Sequence, residues 1–260
     1  MPNRPGLSAC IITLNEADRI GECIASLAFC DEVVLVDSGS TDGTRGIASE
    51  AGARVIEHAF EGYRAQKDFA VKQARHDWVL CLDADERVTP RLRTAIEAAR
   101  EGGFDGAAGY RFARATEYFG RFLRHGNAYP DRVLRLFDRR RGGWNAGREI
   151  HEHVLVDGAV RTLAGDLEHV AYRSIDDQLA RYRRYATMMA QDMHARGRRA
   201  RWYNLVVNPR WRFLRGYFLR AGFLDGWRGL LFASLEADYT REKFARLMLL
   251  QRTDGRLPSG

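Results

Sequence analysis

Two aspartates separated by one residue, Asp83 and Asp85, directly follow the apolar run Trp78 to Leu82 (WVLCL). If the chain stays extended past that run, residues two apart point the same way, and both carboxylates can address one cation. Hard carboxylate oxygens select Mg²⁺ or Mn²⁺, metals that phosphate oxygens and water commonly complete. A metal so placed neutralises charge on a departing diphosphate. The plainer alternative is a solvated acidic turn. Two more polar clusters close apolar runs in the same way. Thr13, Asn15 and Glu16 end Ala9 to Leu14 and open a helix, where Glu16 can cap the helix or meet a nucleoside. Asp37 ends Glu32 to Val36 and can accept hydrogen bonds from a base or ribose, or simply form the turn that Ser38-Gly39-Ser40 suggests. Asp42 is a candidate helix N-cap. Gln66 and Lys67 sit on a helix facing the same rim, and Lys67 is one of only three lysines in an arginine-rich chain.

The elements that must position these residues alternate. Strands are expected at Ala9 to Leu14, Glu32 to Val36, Ala53 to Ile56 and Trp78 to Leu82. Helices are expected at Glu16 to Phe29, through Ile47 and Ala51, at Tyr63 to Arg75, and from Pro90 through Arg100. Such spacing predicts βαβ units and a mostly parallel sheet. In that architecture ligands bind beyond the carboxyl ends of the strands, where all three polar clusters fall. Beyond Gly106 the pattern changes to short strand-like pieces (Ala107 to Phe112, Val133 to Phe137, Ile150 to Val156), then a long helix from about Ile175 to Arg196.

The 260 residues, 45% hydrophobic and 29% charged, are enough for one large domain with an extension. The net charge of +7 is carried almost wholly by arginine, which suits phosphates or anionic lipid and, taken alone, nucleic acid. Cys10, Cys23, Cys30 and Cys81 form no C-x-x-C pair and lie in apolar stretches, the pattern of reduced core thiols. Neither a signal peptide nor a membrane span is expected, since no apolar run approaches about 18 residues. Between Arg196 and Arg220 stand eight arginines and no acidic residue, interleaved with Trp202, Tyr203, Trp211, Phe213, Tyr217 and Phe218. Interfacial helices combine aromatics and basic residues in this way, so contact with a membrane surface is expected there; the alternative is a packed extension with solvated arginines.

With these residues in view, the chain resembles the inverting family 2 glycosyltransferases of GT-A fold. It is similar in particular to the branch of bacterial lipopolysaccharide inner-core enzymes that add glucose to the first heptose. The segments that carry this are T-L-N-E-A-D-R-I (13–20), V-D-S-G-S-T-D-G-T (36–44), G-Y-R-A-Q-K (62–67), W-V-L-C-L-D-A-D-E (78–86), R-E-I-H-E-H-V (148–154) and G-F-L-D-G-W-R-G-L (222–230). Arg64-Ala65 stand where that branch has Gly-Pro before Gln-Lys. The resemblance implies an α/β GT-A domain over 1–172, with a helical, basic-aromatic extension over 173–260. It implies a nucleotide-sugar donor such as UDP-glucose held by Thr13, Asn15, Glu16, Asp37, Gln66, Lys67 and Asp83. It further implies a divalent Mg²⁺ or Mn²⁺ on Asp83 and Asp85, a lipid-linked saccharide acceptor, and a place on the cytoplasmic face of the inner membrane. The alternative acceptors are a capsule or exopolysaccharide lipid intermediate, or a protein.

Inverting transfer requires a carboxylate beside the acceptor hydroxyl as general base. The candidates are Glu152, whose apolar neighbours Ile150 and Val154 would share its face of a strand and raise its pKa, and Glu149. His151 is the candidate third ligand of the metal. No H-E-x-x-H zinc spacing exists. A nucleotidyltransferase is disfavoured because no G-x-G-T-R-type loop follows the first strand. A nucleic-acid-binding protein would leave the aspartates at the strand ends unexplained, so no nucleic-acid partner is expected.

Overall fold

The computed structural model describes residues 4–144 and 153–253. The first elements follow the apolar runs: β1 (Leu7–Thr13), α1 (Ile20–Ala25), β2 (Glu32–Asp37), α2 (Thr44–Glu50), β3 (Arg54–Glu57), α3 (Tyr63–Gln73) and β4 (Trp78–Asp83). Then come β5 (Glu86–Val88), α4 (Pro90–Glu101), β6 (Gly109–Thr116), β7 (Asp131–Asp138), β8 (Gly142–Trp144), β9 (Val154–Val156) and β10 (Val160–His169). The rest is helical: α5 (Ile175–Ala195), α6 (Trp202–Leu214), a π-helical turn Arg215–Leu219, a 3₁₀ turn Gly222–Asp225, and α7 (Gly226–Arg252).

Eight strands form one sheet in the order β3-β2-β1-β4-β7-β6-β10-β5, while β8 and β9 pair separately. Strands β3, β2, β1 and β4 run parallel, as buried apolar runs joined by helices should. Strand β7 pairs antiparallel with β4 and with β6, and β10 antiparallel with β5. On one face Ile11, Leu35 and Leu80 pack with Ile20, Leu27, Leu92 and Ile96. On the other, Cys10, Val34, Val36 and Val79 pack with Ala70 and Val71 of α3. The four cysteines are free thiols, and Cys10, Cys23 and Cys81 are buried. The N-terminus of α4 has Pro90 in its first turn, and the Thr89 hydroxyl accepts the Leu92 N–H at 3.2 Å.

The chain divides into two compact units, Met1–Ala115 with Asp131–His169, and Thr116–Pro130 with Val170–Gly260. The sequence places the boundary after residue 172 and assigns 116–130 to the first unit. The contacts assign that segment to the second, where Tyr118, Leu123 and Ala128 pack with Tyr172, Leu231 and Phe232. The Tyr118 hydroxyl donates to Gln178 Oε1 at 2.8 Å, fixing the segment to α5. A second cluster joins Ala190 and Met193 of α5 to Leu247 and Leu250 of α7. Among the described residues no helix is long and apolar enough to cross a membrane.

Candidate donor and metal site

The carboxyl end of β1 organises the site. Thr13 is opposite Asp37 on β2, and Ile12 is opposite Asp83 on β4. The parallel register thus carries two of the predicted carboxylates to either side of one strand end. The two loops that leave β1 and β2 are sewn together. Asn15 takes a left-handed backbone (φ 54°), which asparagine tolerates, and its side chain accepts the Thr41 N–H at 2.9 Å. In return the Asn15 N–H donates to Ser40 Oγ, the Glu16 N–H to Thr44 Oγ1 and the Ala17 N–H to Asp42 Oδ2. Asp42 also accepts the Thr44 N–H. These bonds, first that from the Thr44 hydroxyl, hold its carboxyl below the ordinary range. It braces the loops, while Gly43 occupies the N-cap position of α2.

Asp37 is fully buried. Its Oδ2 accepts the N–H groups of Gly39 (3.0 Å) and Ser40 (2.8 Å), and its Oδ1 accepts the Ser40 hydroxyl. The carboxylate therefore shapes the loop that rims the strand ends. Gln66 is equally enclosed: its amide donates to Ser38 Oγ and the His58 carbonyl, and its oxygen meets His58 Nδ1 at 2.9 Å. This bracket ties α3 to the ends of β2 and β3.

Lys67, one residue on, turns to the aspartate pair. Its Nζ donates to Asp83 Oδ1 at 3.1 Å, and Arg135 Nη2 of β7 donates to Asp83 Oδ2 at 2.9 Å. Both cations lie over the Trp144 ring, at 4.7 Å and 5.3 Å from its centre. Arg135 also reaches Glu86 Oε1 at 3.4 Å. Glu86 is fully buried; it accepts the Asp83 N–H at 3.0 Å and an Arg114 N–H at 3.1 Å. Burial pushes the Asp83 carboxyl up, but Lys67 and Arg135, with Arg114 behind them, hold it well below the usual carboxylate range. Asp83 nevertheless keeps 27% of its side chain exposed.

The extended continuation expected past β4 does not form. Residues 84 and 85 make a turn between β4 and β5, stabilised by the bond from Asp83 N–H to Glu86. The two aspartates consequently meet different partners, and Asp85 Oδ2 lies 3.6 Å from His169 Nε2. His169 ends β10, opposite Glu86 in the β5–β10 register. The sequence placed Glu86 in the strand-end cluster without giving it a role, and did not suggest β10, Arg114, Arg135, Trp144 or His169 as part of a site. One signal was present: an arginine inside the apolar run Val133 to Phe137 must find a buried anion. Glu149, His151 and Glu152 lie outside the described residues.

Four buried polar atoms around these strand ends have no hydrogen-bond partner among the described residues: Thr13 Oγ1, Arg135 Nη1, Trp144 Nε1 and His169 Nδ1. Buried polar atoms are nearly always satisfied, so their grouping marks a place built for a polar guest. The combination of two carboxylates, an imidazole, a lysine and arginines can hold a divalent ion and a polyphosphate together. Among the described residues no three His, Cys, Asp or Glu side chains gather closely enough to hold a metal by themselves.

The chain is 35% identical over 250 residues, 91% of its length and 92% of the other's, to the lipopolysaccharide core biosynthesis glycosyltransferase LpsC of Rhizobium meliloti. It is 29% identical to an uncharacterized glycosyltransferase of Rickettsia typhi, covering 95% of this chain and 86% of that one. Its fold is similar to that of the mannosyltransferase PcManGT of Pyrobaculum calidifontis, solved with GDP-Man and Mn²⁺. The TM-score is 0.57 at 16% identity, over 95% of this chain and 88% of that one. Residues 8–156, the stretch that contains all of these strand ends but that of β10, match glycosyl transferase family 2, and the chain belongs to that family of transferases.

Proposed function

We propose that the protein transfers glucose from UDP-glucose, with inversion, onto the inner core of a lipopolysaccharide precursor at the cytoplasmic face of the inner membrane. The observation that carries the chemistry is the charged cluster at the ends of β1 and β4, where Lys67 and Arg135 converge on Asp83 beside Asp85. The likeness to a lipopolysaccharide core enzyme over nine-tenths of the chain supports the acceptor.

In this reading the nucleoside lies against the rim formed by Thr13 to Glu16 and the Asp37 loop. Lys67 and Arg135 meet the diphosphate, exchanging part of their attraction to Asp83 for the donor's phosphates. Asp85 is the residue that would hold Mg²⁺ or Mn²⁺, since carboxylate oxygens suit those ions, and His169 Nε2 lies 3.6 Å from its Oδ2. The bound metal supplies charge neutralisation on the leaving diphosphate. The acceptor hydroxyl attacks the anomeric carbon from the side opposite the diphosphate. The new glycosidic C–O bond forms as the bond to phosphate breaks, UDP departs, and the hydroxyl proton passes to the carboxylate of Glu152.

A donor screen for release of nucleoside diphosphate, with and without lipopolysaccharide truncated at the inner core, tests the proposal. UDP-glucose with the acceptor should be the productive pair. Chelator should abolish turnover, Mn²⁺ or Mg²⁺ should restore it, and Asp85→Ala should remove it while the fold survives. Full activity in excess chelator would refute the metal's part.

A further inference from the structure

The second unit carries an apolar surface that its own packing leaves uncovered. Along α6 and the π-helical turn, Tyr203, Val207, Trp211, Leu214 and Phe218 are 41–55% exposed. At about 100° per residue they fall within an arc of roughly 80°, a single stripe. The other side of α6 is packed: Pro209 is buried, and Arg212 bonds Glu236 of α7 while its carbonyl accepts from Asn127. The stripe is therefore surplus to the core. It is extended by Leu219 at the end of the π-helical turn, Phe223 and Leu224 in the 3₁₀ turn and Trp227 at the start of α7, all between 47% and 68% exposed. A recess of about 370 Å³ between α6 and α7 flanks the stripe at Leu214; it is bordered by Pro209, Phe213 and Ala237 and, among polar groups, by Arg210, Asp238 and Arg241.

These glycine-rich turns are closely packed. A Cβ on Gly229 would collide with the Gly222 carbonyl oxygen, and one on Gly222 would come within 2.7 Å of the Gly216 carbonyl oxygen. The Asp225 carboxylate accepts the N–H groups of Arg124 and His125, anchoring the 3₁₀ turn from the far side. A preformed apolar ridge loses little conformational freedom when it is covered.

Charge identifies what covers it. Arg199 and Arg201 just before α6, Arg210 within it and Arg220 after the π-helical turn are exposed, and no acidic residue occurs between 196 and 220. A second copy of the chain would bring two arginine rims together. An anionic surface pairs with both the arginines and the apolar ridge. We infer that α6, the two turns after it and the start of α7 form a face that docks on an anionic phospholipid bilayer, with the Trp211 stripe buried among the acyl chains. The face deepens the assignment of a lipid-linked acceptor, and rests on it, by naming the surface on which that acceptor is met.

The test uses the full chain and vesicles free of saccharide lipid: phosphatidylcholine alone, or with phosphatidylglycerol. Co-sedimentation should show binding to the anionic vesicles at low salt, weakened at high salt, and much weaker binding to neutral ones. Tryptophan fluorescence should be quenched by lipids brominated in the acyl chain. Changing Arg199, Arg201 and Arg210 to Glu should weaken partition by about 10²-fold or more. Changing Val207, Trp211 and Phe218 to Ser should remove acyl-chain quenching. Circular dichroism and UDP release from the donor in solution should stay at wild-type levels in both. Wild type left in the supernatant at low salt would overturn the proposal, as would undiminished binding by the serine variant. So would a concentration-dependent dimer in ultracentrifugation that the serine variant abolishes, without lipid binding by wild type. Vesicle binding by a protein that releases UDP from no donor would instead leave the docking face standing and refute the assigned reaction.

Discussion

Arg135→Met should be the most damaging single change in the candidate site. The methionine keeps most of the side-chain volume and removes the charge. At 2.9 Å, two unit charges attract by about 6 kcal/mol gross at an effective dielectric of about 20, most of which desolvation offsets. What decides the outcome is the state left behind. Glu86, fully buried, keeps Arg114 at 3.1 Å and the Asp83 N–H at 3.0 Å, and Asp83 keeps Lys67 at 3.1 Å. Removing one partner of a buried ion pair costs about 3–5 kcal/mol. Because each anion retains one cation, the expected loss is at the low end, about 3 kcal/mol. At about 2–4 °C per kcal/mol for a unit of this size, that is a fall in Tm of about 6–12 °C.

Lys67→Met should shift Tm by about half as much, since Lys67 is more exposed and Asp83 retains the buried arginine. A Glu86→Gln, Arg135→Met cycle isolates the coupling, expected to be about 1–3 kcal/mol for residues in one network. Melting of the apo-protein by circular dichroism in chelator separates these terms from metal binding. An Arg135→Met protein melting within about 2 °C of wild type would show that the cluster does not depend on Arg135, and its assignment would fall.

Three further outcomes are expected. Glu152→Gln should lower transfer by about 10²-fold or more with UDP binding intact; if Glu149→Gln is the inactive variant instead, the base is reassigned. Asp37→Ala should lose about 1–3 kcal/mol of stability because it strands the N–H groups of Gly39 and Ser40, and calorimetry should show weaker UDP binding. Unchanged binding would confine Asp37 to loop structure. Asp83, Glu32, Asp138 and Asp177 all have carboxyls held below their ordinary values by arginine, lysine or N–H partners. Their stabilisation is complete above an ordinary carboxylate pKa of about 4 and lost as pH falls through the lower folded values. Stability should therefore decline on acidification below about pH 4, and less steeply in Asp83→Asn; an identical slope in that variant would contradict the assignment.

The parallel half of the sheet was legible in the sequence because strands buried on both faces leave continuous apolar runs, and β1, β2 and β4 begin or end within two residues of theirs. Strand β10 was not. Most of Val160–His169 is exposed or half-buried, so neither a run nor a clean alternation marks it. Gly165 interrupts it with φ near 100°, at a point where any Cβ would strike the backbone of α4. Helix α1 shrank to Ile20–Ala25 because the residues before it are drawn into the loop bonds of Asn15, Glu16 and Ala17. The basic C-terminal section was read from composition as either membrane-facing or packed. Helix α6 packs one face against α7 and leaves the other exposed, so the packed part of that reading is observed and the membrane part is the proposal made above.

The spacing of the aspartate pair was read correctly as a strand-end feature, but for a reason that the local structure replaces. Strand parity would have made Asp83 and Asp85 equivalent. The turn at 84–85 makes them different: Asp83 faces two protein cations, and Asp85 faces a histidine from a strand more than 75 residues away. The difference follows from Glu86, whose buried carboxylate takes the Asp83 N–H and so closes the turn. That same carboxylate helps to hold Arg135, which holds Asp83. One residue outside the D-x-D pattern thus sets both the backbone and the charge of the pattern. In the proposed reaction this divides the labour. Asp83 keeps Lys67 and Arg135 gathered until phosphates replace it, while Asp85, which meets only the His169 imidazole in the salt bridges of the described residues, is left for the metal.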